Sequence, residues 1–137
     1  MSETGLTWRA GGCHCGAVRF EAAFPAAVEA HACNCSMCRR RGALWGYGHE
    51  GVDVHVDGET ATYVWGDARL ATHFCPRCGI VAYWRGLTPD AEGRRRMGVN
   101  LRLAEPEAVA DIPIHHFDGA DTWEGVRDGR CVKDMWF

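Results

Sequence analysis

The chain has 137 residues, of which 47% are hydrophobic and 24% are charged, and its formal net charge is −3. This length predicts one domain, residues 1–137, that can bury a hydrophobic core. The negative balance disfavours a nucleic-acid-binding protein, because phosphate neutralisation needs a surplus of positive charge. No apolar run approaches the roughly 20 residues of a membrane span. The N-terminus lacks the basic and apolar regions of an export signal, so we expect a cytoplasmic protein.

Short strands rather than helices are expected along the chain. Alternating, β-branched or aromatic residues predict strands at five places, residues 17–21, 52–57, 60–65, 80–84 and 99–103. The Asp57-Gly58 step between the second and third strands is a typical hairpin turn, so these two strands are expected to pair. Helical periodicity is poor, and the best candidate is one turn at residues 36–41. The sequence therefore predicts a mainly β protein whose strands are tied together by metal-binding loops.

Seven of the eight cysteines lie in three clusters. The clusters are a C-x-C (Cys13, Cys15), a C-x-C-x-x-C (Cys33, Cys35, Cys38) and a C-P-x-C-G (Cys75, Cys78). Disulfide partners are usually scattered through a fold, and disulfides are rare in proteins without an export signal. The clusters therefore predict chelating loops, and Cys131, which stands alone, is most simply a bystander.

The C-P-x-C-G segment is the most specific of these motifs. Pro76 sets φ for a tight turn and Gly79 permits the positive φ that follows. Both sulfurs can then face one ion, with backbone N–H groups facing the thiolates. The alternative is a redox C-x-x-C, which would need a helix after Cys78, whereas residues 80–84 read as a strand. The segment therefore predicts a zinc site.

The seven clustered cysteines divide into four and three. A closed zinc site takes four protein ligands, whereas a reactive zinc keeps three and leaves a position for water or substrate. The count favours an enzyme with one closed and one open site. Spacing also permits a single zinc ribbon whose ligands are Cys35, Cys38, Cys75 and Cys78. The other three clustered cysteines would then be free.

Three segments, in this order along the chain, match a known family pattern: GGCHCGAV (residues 11–18), CNCSMCR (33–39) and FCPRCG (74–79). They resemble the glutathione-dependent formaldehyde-activating enzyme family, the GFA/CENP-V-type domain. The tail Ile-His-His-Phe at residues 114–117, followed by Trp123, is similar to the closing segment of that family. The resemblance extends over about residues 8–126.

This resemblance implies a fold, a metal content and an activity. The fold is a β-tent of small antiparallel sheets around zinc. The closed zinc site would use Cys13, Cys15, Cys75 and Cys78, and the open one Cys33, Cys35 and Cys38. The family activity condenses formaldehyde with glutathione to S-hydroxymethylglutathione, a carbon–sulfur lyase reaction in reverse. Asn34 departs from the family pattern, in which His is common at that place, and the chain is compact beside the formaldehyde-acting members.

Three further residues are candidates for roles in such a reaction. Histidine is the natural proton relay near neutral pH, so we expect His116 or His73 to serve the reactive zinc. Arg39 is expected to bind a substrate carboxylate, because guanidinium recognises carboxylates bidentately; the alternative is a solvated basic turn. The partners implied are a small thiol such as glutathione and a small aldehyde.

Two other functions compete with this one. A non-catalytic zinc module that binds a protein partner would hold only structural zinc. A nucleic-acid-binding zinc domain is favoured by the two arginine triplets, residues 39–41 and 94–96, and opposed by the net charge.

Five aromatic residues are expected in the core: Trp45, Tyr47, Trp65, Trp84 and Trp123.

Overall fold

A computed structural model describes residues 5–136, and within them eleven strands form two sheets. The smaller sheet contains Leu6–Gly12 (β1), Arg19–Pro25 (β2) and Val54–Asp57 (β5). These strands pair antiparallel in the order β1-β2-β5. Phe20, Ala22 and Phe24 occupy alternate positions of β2 and are buried, so they form an apolar face of this sheet.

The larger sheet has eight strands. They are Ala30–Cys33 (β3), Trp45–His49 (β4), Ala61–Val64 (β6), Leu70–Phe74 (β7), Val81–Gly86 (β8), Arg96–Asn100 (β9), Ile114–Phe117 (β10) and Gly125–Val126 (β11). Their spatial order is β11-β10-β3-β4-β9-β8-β7-β6. Neighbours pair antiparallel except β3 and β10, which are parallel. The mainly β class predicted from the sequence is confirmed.

The helices are short. They are Cys38–Arg41 (α1), Pro106–Val109 (α2) and two 3-10 helices, Leu101–Leu103 and Val132–Met135. The first lies inside the turn predicted at residues 36–41 and ends at Gly42, whose φ is 63°. Across residues 5–136, no helix has the length and apolar character needed to cross a membrane.

The two sheets pack against each other through large apolar side chains. The Phe24 ring of β2 lies on Gly46 of β4, where a Cβ atom would come within 2.8 Å of the ring. Glycine at that position therefore lets the sheets approach. The fully buried core includes Phe24, Leu44, Met97, Leu101 and Ile114.

The hairpin predicted around Gly58 is wrong. The chain bends at Gly58, where φ is 103°, but β5 pairs with β2 in the smaller sheet while β6 pairs with β7 at an edge of the larger one. Val54 is fully buried, whereas residues 62–64 of β6 are exposed. Burial of an apolar face decides the partner of a strand, and here it outweighs the local turn signal.

Two other expectations also need correction. Residues 99–103 are not one strand, because β9 ends at Asn100 and a 3-10 helix follows. The Asn100 side chain accepts the backbone N–H of Arg102 and so caps that helix. Of the aromatic residues expected in the core, Trp45 is buried, whereas Tyr47, Trp65 and Trp123 are 40%, 61% and 73% exposed.

Candidate metal centre

Four cysteines meet where the smaller sheet contacts the larger one. Cys13 and Cys15 lie in the turn between β1 and β2, and Cys75 and Cys78 lie in the turn between β7 and β8. All four sulfurs are within 4.8 Å of one another, and we call this set the four-cysteine group. Cys13 and Cys75 are buried. The group therefore links two sheets whose strands are far apart in sequence.

The sulfur geometry of the four-cysteine group fits a tetrahedral ion. The Sγ atom of Cys15 lies 3.7 Å from that of Cys13 and 3.6 Å from that of Cys75. A tetrahedral zinc with bonds of about 2.3 Å would separate its sulfurs by about 3.8 Å, whereas a disulfide would bring them to about 2.05 Å. All eight cysteines of the chain are free.

Backbone N–H groups face these sulfurs, as the knuckle motif predicts. Val18 donates to the Sγ of Cys13 at 3.3 Å, and Arg77 and Cys78 donate to that of Cys75 at 3.4 and 3.5 Å. Hydrogen bonds from the backbone of Cys15 and Ile80 lower the pKa of Cys78 to about 6. Gly79, with φ of 79°, makes the turn that aims these donors. The loop thus favours a thiolate at Cys78.

A second set, the three-cysteine group, lies at the end of β3. Cys33 closes that strand and Cys38 begins α1, and the sulfurs of both lie within 4.8 Å of each other and of the Cys35 sulfur. The N–H groups of Cys35 and Cys38 donate to the preceding sulfurs at 3.4 and 3.3 Å. All three residues are half-buried. Three soft sulfur donors with an accessible side suit a zinc ion that keeps one position free.

Burial raises the pKa of two thiols in this group. That of Cys38 rises to about 12, through burial and the neighbouring Cys35 and Cys33 charges, and burial also raises that of Cys33. A cation between the sulfurs would remove this penalty, since a coordinated thiol is deprotonated. The two groups separate the cysteines as the family resemblance implies. In the described residues, Cys35 and Cys38 form no such group with Cys75 and Cys78, so the zinc-ribbon pairing is wrong.

A hydrogen-bonded loop covers one side of the three-cysteine group. The Asn34 amide donates to Asp118 Oδ1 at 3.0 Å and accepts the N–H of Ala120 at 3.0 Å. Thr122 bonds the other oxygen of Asp118 through its N–H and its hydroxyl. Asn34, the residue that departs from the family pattern, therefore does not point its amide at an ion. It fixes the 118–124 loop instead.

Gly119 of this loop lies directly against the cysteines. A Cβ atom there would come within 2.6 Å of the Cys33 sulfur and 3.3 Å of the Cys35 Cβ. We expect Gly119→Ala to displace the Cys33 sulfur and weaken metal binding at the three-cysteine group about 10-fold or more, because overpacking costs about 1–3 kcal/mol. Competition with a chromophoric chelator measures this affinity. Gly86→Ala, where an added Cβ meets its nearest atom at 3.5 Å, should leave it unchanged; equal loss in both variants would contradict the assignment.

Aromatic and basic side chains form a surface that begins on β3, the strand that ends at Cys33. The ring of His31 stacks on Tyr47 with centroids 4.3 Å apart, and Tyr47 meets Trp84 at 5.8 Å. The guanidinium of Arg96 lies over both Tyr47 and Trp84. Burial is the main cause that raises the pKa of Tyr47, and the charges of Cys38 and Cys33 contribute to the same direction. Sequence reasoning missed this surface, because its residues come from strands β3, β4, β8 and β9.

A cavity of about 280 Å³ opens beside α1. We call it the arginine pocket, and it is lined by Ser36, Met37, Arg40, Arg41, Tyr63 and Trp65. Arg41 donates from Nη1 to Thr72 Oγ1 at 2.8 Å and lies 5.8 Å from the centre of the Tyr63 ring. Burial lowers the pKa of Arg41. Two other lining residues, Ser36 and Met37, lie between Cys35 and Cys38, so the pocket adjoins the three-cysteine group.

The three side chains predicted to take part in the reaction, Arg39, His116 and His73, lie in different surroundings. Arg39 is exposed and does not line the arginine pocket, whereas its neighbours Arg40 and Arg41 do. His116 shares a surface groove with Cys33 and lies 3.3 Å from Asp128. These positions favour Arg41 over Arg39 for contact with a substrate.

His73 is not brought to the three-cysteine group. It is 5% exposed, its Nδ1 is 2.8 Å from the Thr60 hydroxyl, and its ring stacks on Tyr83 at 4.5 Å. Consecutive residues of a strand face opposite sides, so His73 faces away from Thr72, the residue that Arg41 contacts. The prediction that His73 relays a proton at this group therefore loses its geometric support.

Comparisons with known proteins give a family match and a curated relative. A sequence model of the family described as "Glutathione-dependent formaldehyde-activating enzyme" matches residues 8–112. A Halomonas elongata protein named "Putative glutathione-dependent formaldehyde-activating enzyme" is 32% identical over 89 residues, which are 54% of this chain and 53% of that protein. The chain thus spans about half the length of this curated relative.

A solved structure supports the fold. The crystal structure of a Rhodobacter sphaeroides protein is similar to this chain with a TM-score of 0.56 and 29% sequence identity. The similarity covers 77% of this chain and 98% of that one.

Proposed function

Because this chain belongs to the glutathione-dependent formaldehyde-activating enzyme family, we propose that it joins a small aldehyde to a small thiol in a zinc-dependent, carbon–sulfur lyase-type reaction. Formaldehyde and glutathione are the proposed substrates, and S-hydroxymethylglutathione is the product. The observation that carries the proposal is the difference between the two cysteine groups. One offers four sulfurs, two of them from buried residues, and the other offers three half-buried sulfurs beside a cavity.

The reaction needs few groups beyond the thiol itself. The thiolate sulfur forms a bond to the aldehyde carbon, the C=O π bond breaks, and the oxygen takes up the proton that the thiol released. Zinc held by Cys33, Cys35 and Cys38 would supply a position at which a substrate thiol loses its proton near neutral pH. The four-cysteine group would hold a structural zinc.

The chain's own side chains account for the remaining steps. Arg41 lies on α1, the helix that begins at Cys38, and its positive charge would offset the repulsion that a fourth thiolate meets there. Gly119 of the Asn34-fixed loop covers part of the Cys33 sulfur. His116 would carry the proton to the new hydroxyl oxygen; its Nε2 lies 3.3 Å from Asp128 and 3.4 Å from Nη2 of Arg130. We place this reaction in the cytoplasm, a reducing compartment that suits eight free cysteines.

Exchange measurements test the activity directly. Formaldehyde and glutathione combine spontaneously, so the decisive quantity is the rate of exchange between ¹³C-formaldehyde hydrate and its glutathione adduct. We expect catalytic amounts of the protein to raise this rate in two-dimensional exchange NMR. The protein-dependent part of the rate should be about 10²-fold smaller for His116→Gln than for the unchanged protein. A rate equal to the spontaneous one with fully zinc-loaded protein would refute the proposal. It would favour the alternative, a zinc module that binds a protein partner.

The two groups should also differ in how easily they release metal. We expect a mild chelator to remove one zinc per chain quickly and the second far more slowly, because three half-exposed ligands hold an ion less firmly than four linked ones. Excess glutathione should slow the fast phase, since a thiol can occupy the free position. Metal release is followed with a zinc-responsive dye. Release of both ions at one rate, unaffected by glutathione, would contradict an open three-cysteine site.

A further inference from the structure

The three-cysteine group lies in a stretch of the chain that contains arginines and no acidic residue. No Asp or Glu occurs between Glu29 and Glu50, a stretch that contains the arginine triplet at residues 39–41. None of the ion pairs formed within residues 5–136 includes an arginine of this triplet. Many of the chain's other arginines are paired with carboxylates or bonded to carbonyl oxygens. The positive charge of the arginine triplet is therefore not neutralised by a carboxylate of the described residues and can attract an anionic ligand.

Arg41 is the member of the triplet that is best held for this purpose. Its bond to Thr72 and its contact with the Tyr63 ring fix the guanidinium plane at the wall of the arginine pocket. A guanidinium has five N–H donors, and the Thr72 hydroxyl takes one of them. The guanidinium of Arg40 is held by a local contact, since its Nη1 donates to the carbonyl of Ser36 at 2.8 Å. A half-buried, oriented guanidinium recognises a carboxylate bidentately.

The size of the arginine pocket limits what enters it. About 280 Å³ is at the lower end of ligand cavities, so the pocket accommodates one arm of a peptide thiol rather than the whole molecule. Its lining contains two arginines and no acidic residue. A terminal arm with only a carboxylate matches this lining. An arm that also carries an ammonium group does not, because the ammonium would meet like charge without a partner.

We propose that the arginine pocket binds the carboxylate-only arm of the thiol substrate, and that Arg41 is the residue that selects for this carboxylate. For glutathione this is the glycyl end, and the zwitterionic glutamyl end lies outside the pocket. The inference rests on the proposed function, because it assumes that the thiol sulfur reaches the three-cysteine group. It replaces Arg39, the residue that the sequence suggested, with Arg41.

Binding of blocked ligands tests the pocket separately from catalysis. S-methylglutathione and its glycyl ethyl ester cannot form thiolates, and they differ by one carboxylate charge. By isothermal titration calorimetry we expect the acid to bind the purified protein about 10-fold more tightly than the ester. Arg41→Gln should reduce this preference to about one. Arg41→Lys, which keeps the charge but loses the planar fork, should retain part of it and shows that the site still folds.

Two further variants complete the design. Arg19→Gln, on the smaller sheet, should keep the full 10-fold preference. Arg39→Gln tests the rival residue on the same helix. The inference is overturned if the preference survives in Arg41→Gln, if Arg39→Gln removes it, or if the unchanged protein binds the acid and the ester equally or neither of them.

The same proteins distinguish failure of the pocket from failure of the proposed function. Catalysed formaldehyde exchange with glutathione and its glycyl ester at equal efficiency would overturn the pocket and leave the proposed function standing. Absence of catalysed exchange, together with an acid preference that depends on Arg41, would overturn the proposed function and leave the pocket as a site for carboxylate-bearing ligands.

Discussion

Cys75→Ser is expected to lower the melting temperature by at least about 12 °C and to remove one zinc per chain. The Cys75 sulfur is fully buried, accepts two backbone N–H groups and lies 3.6 Å from the Cys15 sulfur of the other sheet. Loss of a structural metal costs more than about 4 kcal/mol, and each kcal/mol moves the midpoint by about 3 °C in a chain of this length. Zinc content by mass spectrometry and thermal unfolding by circular dichroism measure both effects.

Cys131→Ser is the matched control for this substitution. Cys131 is half-buried, belongs to neither cysteine group, and caps the final 3-10 helix, a position that serine favours. We expect this variant to keep both zinc ions and to melt within about 2 °C of the unchanged protein. If Cys75→Ser behaved like Cys131→Ser, the four-cysteine group would not hold the two sheets together.

The cysteine groups could be predicted from sequence largely because each half of a group is local. A C-x-C or C-P-x-C-G motif fixes its own turn, and the amide donors that face the sulfurs belong to the same few residues. Which halves combine is not local. Spacing alone allowed Cys35 and Cys38 to join Cys75 and Cys78, and only the family resemblance implied the arrangement that the structure has.

Strand pairing shows why local signals were insufficient elsewhere. The Asp57-Gly58 step correctly marked a bend, yet the strands on either side join different sheets because their burial differs. The surface formed by Tyr47, Trp84 and Arg96 could not be predicted from the sequence either. Tyr47 and Trp84 looked like core residues, and only the order of β4, β9 and β8 shows that they form one face with Arg96.

The choice between Arg39 and Arg41 has the same origin. Both residues belong to one triplet, and the sequence offers no reason to prefer either. A single helical turn points them in different directions, since neighbouring residues on a helix are about 100° apart. Arg41 consequently reaches Thr72 of β7, and Arg39 faces solvent. Contact with a strand more than thirty residues away decides which guanidinium is oriented.

Cys35→Ser is expected to slow catalysed aldehyde–thiol exchange about 10³-fold while leaving the fold intact. Serine cannot replace a thiolate ligand, so the variant loses the metal of this site. An open metal site lowers the activation free energy by several kcal/mol, and about 4 kcal/mol corresponds to a 10³-fold change in rate. The variant should contain one zinc per chain and lose little of its melting temperature, because Cys35 lies in a half-exposed loop rather than between the sheets.

The comparison of Cys35→Ser with Cys75→Ser separates the two roles in one set of measurements. If the three-cysteine group is the reactive one, Cys35→Ser loses activity without losing stability, and Cys75→Ser loses stability first. Exchange rates are taken at a temperature where both variants are folded, with circular dichroism as the check. Full turnover by Cys35→Ser after the loss of one zinc would show that the three-cysteine group is not the site of the reaction. The aldehyde chemistry would then have to be sought at another surface of the molecule.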